Sequence, residues 1–263
     1  MQLEYIEDDL VKPNSIEVRD YQVSLARQAK NRNSLVVLPT GLGKTTIALQ
    51  VILDILSQKK GGILFLAPTR VLVNQHFEFL KEHVLLDDIG IVTGEDLISK
   101  RKKSWINSIV CATPEITRND LQRGVVPYEQ FSLVIFDEAH RAVGDYAYTS
   151  IATNFSNNVL FLAMTATLPS DKQRADEIIK SLRIQSILQK TDESPDVKPY
   201  IQETKTDWVN VELPLDMKAI QTCLKLALDE RYTQLRKNGI QISIDNKSLT
   251  ALLRIRQYVL NQN

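Results

Sequence analysis

Short apolar runs alternate with amphipathic segments between about residues 34 and 168. The runs are nearly continuous in Val, Ile, Leu and Phe, as expected of strands buried on both faces. They predict strands over 35–38, 62–67, 89–93, 108–112, 133–137 and 159–166. Helical spacing between them predicts helices such as 45–56 and 71–82. This alternation predicts an α/β fold, a parallel sheet with helices on both faces that binds ligands at the carboxyl ends of its strands.

The pattern changes after Pro169. Residues 171–182 predict a helix, a polar stretch with prolines follows over 191–205, and alternation over 207–213 predicts a short strand. Two apolar stripes at helical spacing end the chain, and such stripes are typical of a helix face packed in a core or on another helix. Their members are Met217, Ile220, Leu224, Ala227, Leu228 and Leu235, then Leu249, Leu252, Leu253, Val259 and Leu260. We expect a first domain over 1–190, a linker with a short strand over 191–214, and a helical segment over 215–263.

A glycine-rich loop, PTGLGKT over residues 39–45, follows the first predicted strand and opens a helix. Glycine loops at helix N-termini direct several backbone N–H groups at one phosphate. Leu38 stands where the strict phosphate-loop pattern has glycine, but the strand–loop–helix context favours a nucleotide site over an accidental turn. Lys44 would bind the β and γ phosphates and Thr45 would bind Mg²⁺. The predicted nucleotide-binding residues of this loop are Thr40, Gly41, Leu42, Gly43, Lys44, Thr45 and Thr46.

An acidic pair, Asp137 and Glu138, ends the apolar strand over 133–137. Most Asp-Glu pairs are solvated surface charges, but a pair at a buried strand end lies at the edge where ligands bind. ATP hydrolysis needs one carboxylate for the Mg²⁺ shell and another for the attacking water. We therefore predict Lys44, Asp137 and Glu138 as the catalytic residues, with Asp137 and Thr45 as the Mg²⁺ ligands.

Two hydroxyls, Thr165 and Thr167, follow the last strand of the series in the sequence TAT. Alone they would be interpreted as a capping turn ahead of Pro169. Their order after the loop and the acidic pair offers a second interpretation. PTGLGKT, APTRVLVNQ (67–75), ATPE (112–115), DEAH (137–140) and TAT (165–167) resemble, in order, motifs I, Ia, Ib, II and III of superfamily-two helicases.

This resemblance covers about residues 15–168 and implies an ATP- and Mg²⁺-dependent RecA-like motor domain. In RDYQ it implies that Arg19 packs on adenine and Gln22 hydrogen-bonds its edge. It also implies coupling of nucleotide to nucleic acid by His140, Thr165 and Thr167. The predicted nucleic-acid contacts are Thr69, Arg70, Thr113, Pro114 and Glu115. For Arg70 a structural role at a helix start is the alternative.

A finer resemblance comes from KPYIQETKTDWVNVELP (198–214), which is similar to the archaeal Hef and Fanconi anaemia M group of fork-DNA helicases. It implies forked or branched DNA as partner and a helical insert that begins in the final stripes. RIG-I-like and Dicer helicases share a related architecture, so a double-stranded RNA helicase is the alternative. A non-catalytic, nucleotide-gated nucleic-acid-binding module is the alternative of another class.

Composition adds little to these motifs. Lys plus Arg equals Asp plus Glu at 32 each, which neither supports nor excludes a nucleic-acid partner. The basic run 100–103 is interpreted as a solvated helix face and Trp105 as packed. Without a long apolar run we expect a cytosolic protein, nucleoid-associated if archaeal, with no membrane partner.

No string resembles motif VI, QxxGRxxR, which supplies an arginine finger from a second RecA-like domain. That domain is predicted to be absent from this chain and to be a partner in the intact protein. An arginine finger contributes several powers of ten to hydrolysis. We therefore expect this chain alone to bind nucleotide weakly and to hydrolyse it slowly, if at all.

Overall fold

The computed structural model describes residues 4–201 and 208–238, together with Leu253, Arg256 and Gln257. The chain divides into two compact units, residues 1–203 and residues 204–263. The first unit continues past the domain end expected at residue 190, because Val197 and Tyr200 pack onto its core. No helix in the described ranges is long and apolar enough to cross a membrane.

A seven-stranded sheet forms the centre of the first unit. Its strands are β1 Ser34–Val37, β2 Gly62–Leu66, β3 Ile89–Val92, β4 Ile109–Ala112, β5 Phe131–Phe136, β6 Leu160–Thr165 and β7 Ser186–Gln189. They lie in the order β3-β4-β2-β5-β6-β1-β7, and every pairing is parallel. The six predicted strands are confirmed, as is the α/β fold. Strand β7 was missed because it is a short edge strand with Ile187 exposed, so its sequence has no continuous apolar run.

Eight α-helices occur among the described residues, seven of them in the first unit. They are α1 Asp20–Ala29, α2 Lys44–Ser57, α3 Arg70–His83, α4 Ile98–Ser104, α5 Pro114–Gln122, α6 Ala147–Asn154, α7 Lys172–Ser181 and α8 Leu215–Lys237. Short 3-10 turns lie at Tyr128–Gln130, Ala139–Arg141 and Lys198–Tyr200. The predicted helices over 45–56, 71–82 and 171–182 correspond to α2, α3 and α7.

Two hydrophobic clusters cover the two faces of the sheet. Alternate strand residues enter opposite clusters, so Val36 packs with α1, α2 and α3, whereas Leu35 and Val37 pack with α6 and α7. Burial on both faces explains why the strands are apolar throughout rather than alternating. Along one edge of the sheet, the loops therefore follow one another in the order of the strands that they leave: β4, β2, β5, β6 and β1. The core on both faces of the sheet fixes their positions.

A buried ion pair joins α4 to α5. Arg101 Nε and Nη2 each donate to Asp120 at 2.8 Å, and Trp105 Nε1 donates to the same carboxylate at 3.0 Å. Burial acts to raise the pKa of Asp120, but the hydrogen bonds from Arg101 and Trp105 hold that pKa below its usual value. The predicted solvated face is thus confirmed for Lys100, and for Lys102 and Lys103, but is wrong for Arg101. The packed Trp105 is confirmed.

In the second unit the first apolar stripe forms α8, as predicted. The short strand predicted over 207–213 is wrong for its described part, since residues 208–214 have no regular structure. Trp208 is 90% exposed and Val211 82% exposed, so the alternation meets no neighbouring strand in the described residues. The second stripe lies outside the described residues, except for Leu253.

Candidate functional site

The loop between β1 and α2 is shaped by two glycines in the left-handed region. Gly41 has φ of 87° and Gly43 has φ of 76°, and Gly43 is the N-cap of α2. Leu42 is buried between them, which fixes the loop on the core. The loop therefore leads directly into a helix N-terminus, where unpaired backbone N–H groups and the helix dipole favour an anion.

Lys44 opens α2 beneath this loop. Its Nζ donates to the carbonyl oxygens of Leu38 at 2.9 Å and Pro39 at 3.5 Å. Burial lowers the pKa of Lys44, an effect that the negative charges of Glu138 and Asp137 oppose. The ammonium thus lies within electrostatic range of both predicted carboxylates. These residues follow β1 and β5, the two parallel strands on either side of β6.

The acidic pair follows β5 in an unusual backbone. Asp137 is buried, its N–H donates to the Leu66 carbonyl at 2.9 Å, and its own carbonyl accepts from the Tyr148 hydroxyl at 2.7 Å. Burial raises the pKa of Tyr148 well above its usual value, so this hydroxyl remains a donor. Glu138 adopts a left-handed conformation with φ of 50°, which turns its half-buried side chain away from the strand direction.

A histidine that the sequence analysis did not select lies against Asp137. His76 Nε2 is 2.8 Å from Asp137 Oδ2, and both side chains are less than 10% exposed. The His76 ring stacks on Phe65 of β2, with ring centroids 4.3 Å apart. The other ring nitrogen, Nδ1, is buried and has no hydrogen-bond partner in the described structure.

Residues of α1 pack beneath the glycine loop. Tyr21 Oη donates to the Leu42 carbonyl at 2.8 Å, and Gln22 Nε2 donates to the same carbonyl at 3.1 Å. Gln22 Oε1 is buried and has no partner in the described structure, so an acceptor is available beside the loop. The Arg19 guanidinium lies 5.0 Å from the ring centroid of Tyr200. Gln22 thus contacts the loop directly, whereas Arg19 lies beside Tyr21 and Tyr200.

The loops after β5 and β6 are joined through His140. Its Nδ1 lies 3.1 Å from Thr165 Oγ1 and 3.2 Å from Glu138 Oε2. Thr165 Oγ1 donates in turn to the Thr167 carbonyl at 3.0 Å. The capping-turn interpretation of these threonines is wrong, because Asp171 caps the next helix by accepting from the Gln173 N–H.

The predicted nucleic-acid contacts lie after β2 and β4, away from the loop after β1. Thr69 and Arg70 are exposed at the start of α3, and Arg70 forms an exposed ion pair with Glu95. The Thr69 hydroxyl also caps α3, accepting from the Leu72 N–H at 3.3 Å. Thr113 and Pro114 are buried at the start of α5, so of this second group only Glu115 presents its side chain to solvent.

Residues 19–175, more than half of the chain, match the family described as DEAD/DEAH box helicases. The chain belongs to this helicase family. Helicases of the family use ATP, which agrees with the loop, the lysine and the acidic pair. The order of the strands places their nucleotide motifs on β1 and β5, with motif III on β6 between them.

Three relatives show how the chain compares with longer proteins. A putative ATP-dependent RNA helicase of Methanocaldococcus jannaschii is 37% identical over 95% of this chain and 33% of that protein. The ATP-dependent DNA helicase MPH1 of Saccharomyces cerevisiae is 34% identical over 94% of this chain and 26% of that protein. A Fanconi anemia group M protein homolog of Mus musculus is 33% identical over 91% of this chain and 12% of that protein. The chain thus spans about a third or less of these relatives.

Solved helicase structures agree with the fold. The Pyrococcus furiosus Hef helicase domain superposes with a TM-score of 0.73 and 36% identity, over 96% of this chain and 55% of that chain. The UvsW helicase from bacteriophage T4 superposes with a TM-score of 0.57 at 19% identity, covering 69% of this chain and 64% of that one, and supports the fold alone. The predicted resemblance to the Hef and Fanconi anaemia M group is confirmed.

The residues missed in this helicase chain differ in how far they lie from the motif that they contact. His76 and Tyr200 each contact a motif residue that is far away in the sequence, so no local pattern marks them. Tyr148 contacts Asp137 from only 11 residues away, but it lies in a helix outside the motifs. One signal was available for His76, which directly follows the motif Ia glutamine and lies on the buried stripe of α3. Tyr21 stands inside the RDYQ motif itself.

Proposed function

We propose that this chain is the first RecA-like motor domain of an ATP-dependent DNA helicase or translocase that acts on forked or branched DNA in repair or fork processing. The position of Lys44, Asp137 and Glu138 at the ends of β1 and β5, on one edge of a parallel sheet, carries the proposal. The relative named as the ATP-dependent DNA helicase MPH1 supports DNA as the substrate. Similarity to a Fanconi anemia group M protein homolog and to the Hef helicase domain supports the fork-DNA group that the sequence resembles.

Oxygen donors fit a Mg²⁺ ion at this site. Mg²⁺ is usually held by one or two protein oxygens plus phosphates and waters, and Asp137 with the Thr45 hydroxyl supplies that number. When bound, the ion would neutralise charge on the phosphates during hydrolysis. Among the described residues no cluster of three or more His, Cys, Asp or Glu side chains competes as a metal site.

The chain's own residues then divide the chemistry of hydrolysis. Lys44 leaves the Leu38 carbonyl for the phosphates, and Glu138 orients the attacking water and accepts its proton. Phosphate oxygens are bound by the N–H groups of Gly41, Gly43, Lys44 and Thr45, whereas those of Leu42 and Thr46 already donate within the loop. Gln22 Oε1 would accept from a purine amino group, satisfying the atom that now lacks a partner. Arg19 would pack on the base.

Nucleic acid would bind along the same sheet edge as the nucleotide, at the ends of β2 and β4. Thr69, Arg70 and Glu115 are the exposed groups there, and hydroxyls with an arginine suit contacts to phosphates rather than bases. His140 links Glu138 to Thr165 and Thr167, and these residues would couple the nucleotide site to bound nucleic acid. We further propose a linker that begins after the first unit and ends at residue 214, and the start of a helical insert from residue 215. We also propose a second RecA-like domain in the intact cytosolic protein, and slow hydrolysis without it.

Steady-state ATP hydrolysis by the whole chain tests the proposal, with and without forked DNA and beside Lys44→Ala. We expect saturable nucleotide binding that Lys44→Ala abolishes, and a hydrolysis rate close to that of the variant. DNA-stimulated hydrolysis that Lys44→Ala removes would contradict the incomplete motor, because the arginine finger would then be dispensable. Absence of nucleotide binding would contradict the proposal itself.

One relative is named as a putative RNA helicase, which makes RNA the second candidate substrate. Competition binding separates the two, with labelled forked DNA displaced by unlabelled fork or by double-stranded RNA of equal length at fixed salt. We expect the fork to compete better. Salt is held constant because phosphate contacts dominate affinity for either polymer.

A further inference from the structure

Among the buried polar groups that have no proposed role, the ring of His76 lies closest to the catalytic carboxylates. It lies between Phe65 on one side and Asp137 on the other. We propose that His76 is a positioning residue for Asp137, which orients the carboxylate so that it can receive the Mg²⁺ bound to nucleotide. This inference rests on the proposed nucleotide site.

The backbone of Asp137 is fixed independently of its side chain. Its N–H is bonded to the Leu66 carbonyl and its own carbonyl to the Tyr148 hydroxyl. Neither bond restricts rotation of the carboxylate about its side-chain torsions. The 2.8 Å contact between His76 Nε2 and Asp137 Oδ2 does, and it is made to one of the two carboxylate oxygens. Because a carboxylate only accepts, Nε2 is the donor.

The His76 ring is itself held in place. Phe65 stacks against it from β2, the strand next to β5, and α3 follows β2 directly through residues 67–69. The donor therefore comes from the neighbouring strand–helix unit rather than from the loop that carries Asp137. Because His76 and Asp137 are anchored on different elements, the bond between them defines the orientation of the carboxylate better than a bond within one loop would.

A purely structural role explains this histidine poorly. Nδ1 is buried without a partner in the described structure, and a buried unsatisfied polar atom costs about 1–3 kcal/mol. Leucine would fill the same space against Phe65 without that cost. The bond to Asp137 is the one contact of the ring, among those described, that an apolar residue cannot replace.

Nucleotide binding by the whole chain with and without Mg²⁺ tests the proposal. The measurements are the affinity for a fluorescent ATP analogue in Mg²⁺ and in EDTA, together with thermal unfolding. For His76→Leu we expect unchanged affinity in EDTA and loss of most of the tightening that Mg²⁺ gives. Removal of an outer-shell partner typically lowers metal affinity about 10–100-fold.

Two polar variants protect the test against a folding defect. The amide of His76→Gln reaches as far as Nε2 and should preserve the Mg²⁺ effect, whereas the shorter His76→Asn should lose it. His83→Leu is the matched control, since His83 lies on the same helix with its ring tilted against Phe79 and makes no described contact with Asp137. It should leave the Mg²⁺ effect intact.

Three outcomes would overturn the proposal. The first is a wild-type Mg²⁺ effect in both His76→Leu and His76→Asn. The second is a parallel loss of affinity in EDTA and of thermal stability, which would indicate a packing role only. The third is absence of nucleotide binding by the wild-type chain in either buffer, which would remove the proposed site and this inference with it.

Discussion

At the scale of single residues, the two glycines of the loop differ in what surrounds them. Both have positive φ, but a Cβ on Gly43 would lie 2.2 Å from Gln22 Nε2, whereas a Cβ on Gly41 would meet nothing within 4 Å. Gln22 could move aside only by losing its bond to the Leu42 carbonyl. The space beside Gly43 is therefore occupied by Gln22, the residue predicted to recognise adenine.

We expect Gly41→Ala and Gly43→Ala each to lower the free energy of unfolding by about 1–2 kcal/mol, the cost of a left-handed conformation. Only Gly43→Ala should also reduce the preference for ATP over GTP, because it displaces Gln22. Urea unfolding and competition between the two nucleotides measure both effects. An unchanged preference in Gly43→Ala would show that Gln22 does not read the base.

The Arg101–Asp120 pair makes a prediction about stability. Asp120→Asn leaves the buried guanidinium without its counter-charge, which we expect to lower the free energy of unfolding by about 3 kcal/mol at neutral pH. The exposed Lys100→Gln should change it by less than about 0.5 kcal/mol. Equal effects of the two substitutions would contradict a buried pair.

The pH dependence of that difference has a defined sign. Because the pKa of Asp120 is lower in the folded state, its contribution is fully present above the unfolded value of about 3.9. It is lost as the pH falls through the folded pKa. The gap between wild type and Asp120→Asn should therefore shrink only in acid below about pH 4, as chemical unfolding at several pH values would show.

At the scale of elements, α3 begins at a residue with two assigned roles. The Thr69 hydroxyl caps the helix and is also a predicted nucleic-acid contact. Thr69→Asp should keep the cap and the stability but weaken DNA binding several-fold, because a negative charge then faces the phosphates. Thr69→Ala should lose about 1 kcal/mol of stability.

Asp171→Ala is the matched control for the loss of a cap, since Asp171 caps α7 in the same way. It should cost about as much stability as Thr69→Ala and leave DNA binding unchanged. Fluorescence anisotropy with labelled forked DNA and urea unfolding separate the two effects. Wild-type DNA affinity in Thr69→Asp would limit Thr69 to its structural role.

Elements of this chain could be predicted where burial alone decides the pattern. The six strands with both faces covered have continuous apolar runs, so composition identifies them. Strand β7 depends on pairing with β1, and residues 208–213 alternate without gaining a partner in the described structure. A strand forms only when a second segment pairs with it, and the pattern in one segment does not show whether such a partner exists.

The candidate site likewise has parts that could be predicted from the sequence and parts that could not. The glycine loop and the acidic pair are contiguous in sequence, so their chemistry is visible as motifs. His76 and Asp137 are 61 residues apart, and Tyr148 reaches a carbonyl 82 residues away. Arg101 looked like one charge of a solvated run until the fold placed Asp120 against it. Contacts made only by the fold were beyond prediction from sequence.

At the scale of the whole molecule, the first unit depends on the segment after α7. Leu188 of β7 and Val197 are buried, and Tyr200 packs on the same cluster. A chain of residues 1–203 should keep the urea midpoint that the first unit has in the 263-residue chain. A chain of residues 1–185 should lose more than about 3 kcal/mol, at about 1.5–3 kcal/mol for each fully buried side chain.

Both truncated chains lack α8, so they differ only in the segment under test. The chain of residues 1–185 should also bind nucleotide less well. Without β7, strand β1, which leads into the glycine loop, becomes the edge strand of the sheet. Equal urea midpoints for the two chains would show that residues 186–201 add nothing to the core.

The position of β1 in the sheet has a consequence for synthesis on the ribosome. Ser34 pairs with Leu162 on one side and Ser186 on the other, so β1 is among the first strands made and waits for the last two. At about 5–20 residues per second, the nascent loop remains without its sheet for several seconds or more. A ribosome stalled before β6 emerges would therefore carry a complete PTGLGKT sequence that has no fixed shape and retains no ATP.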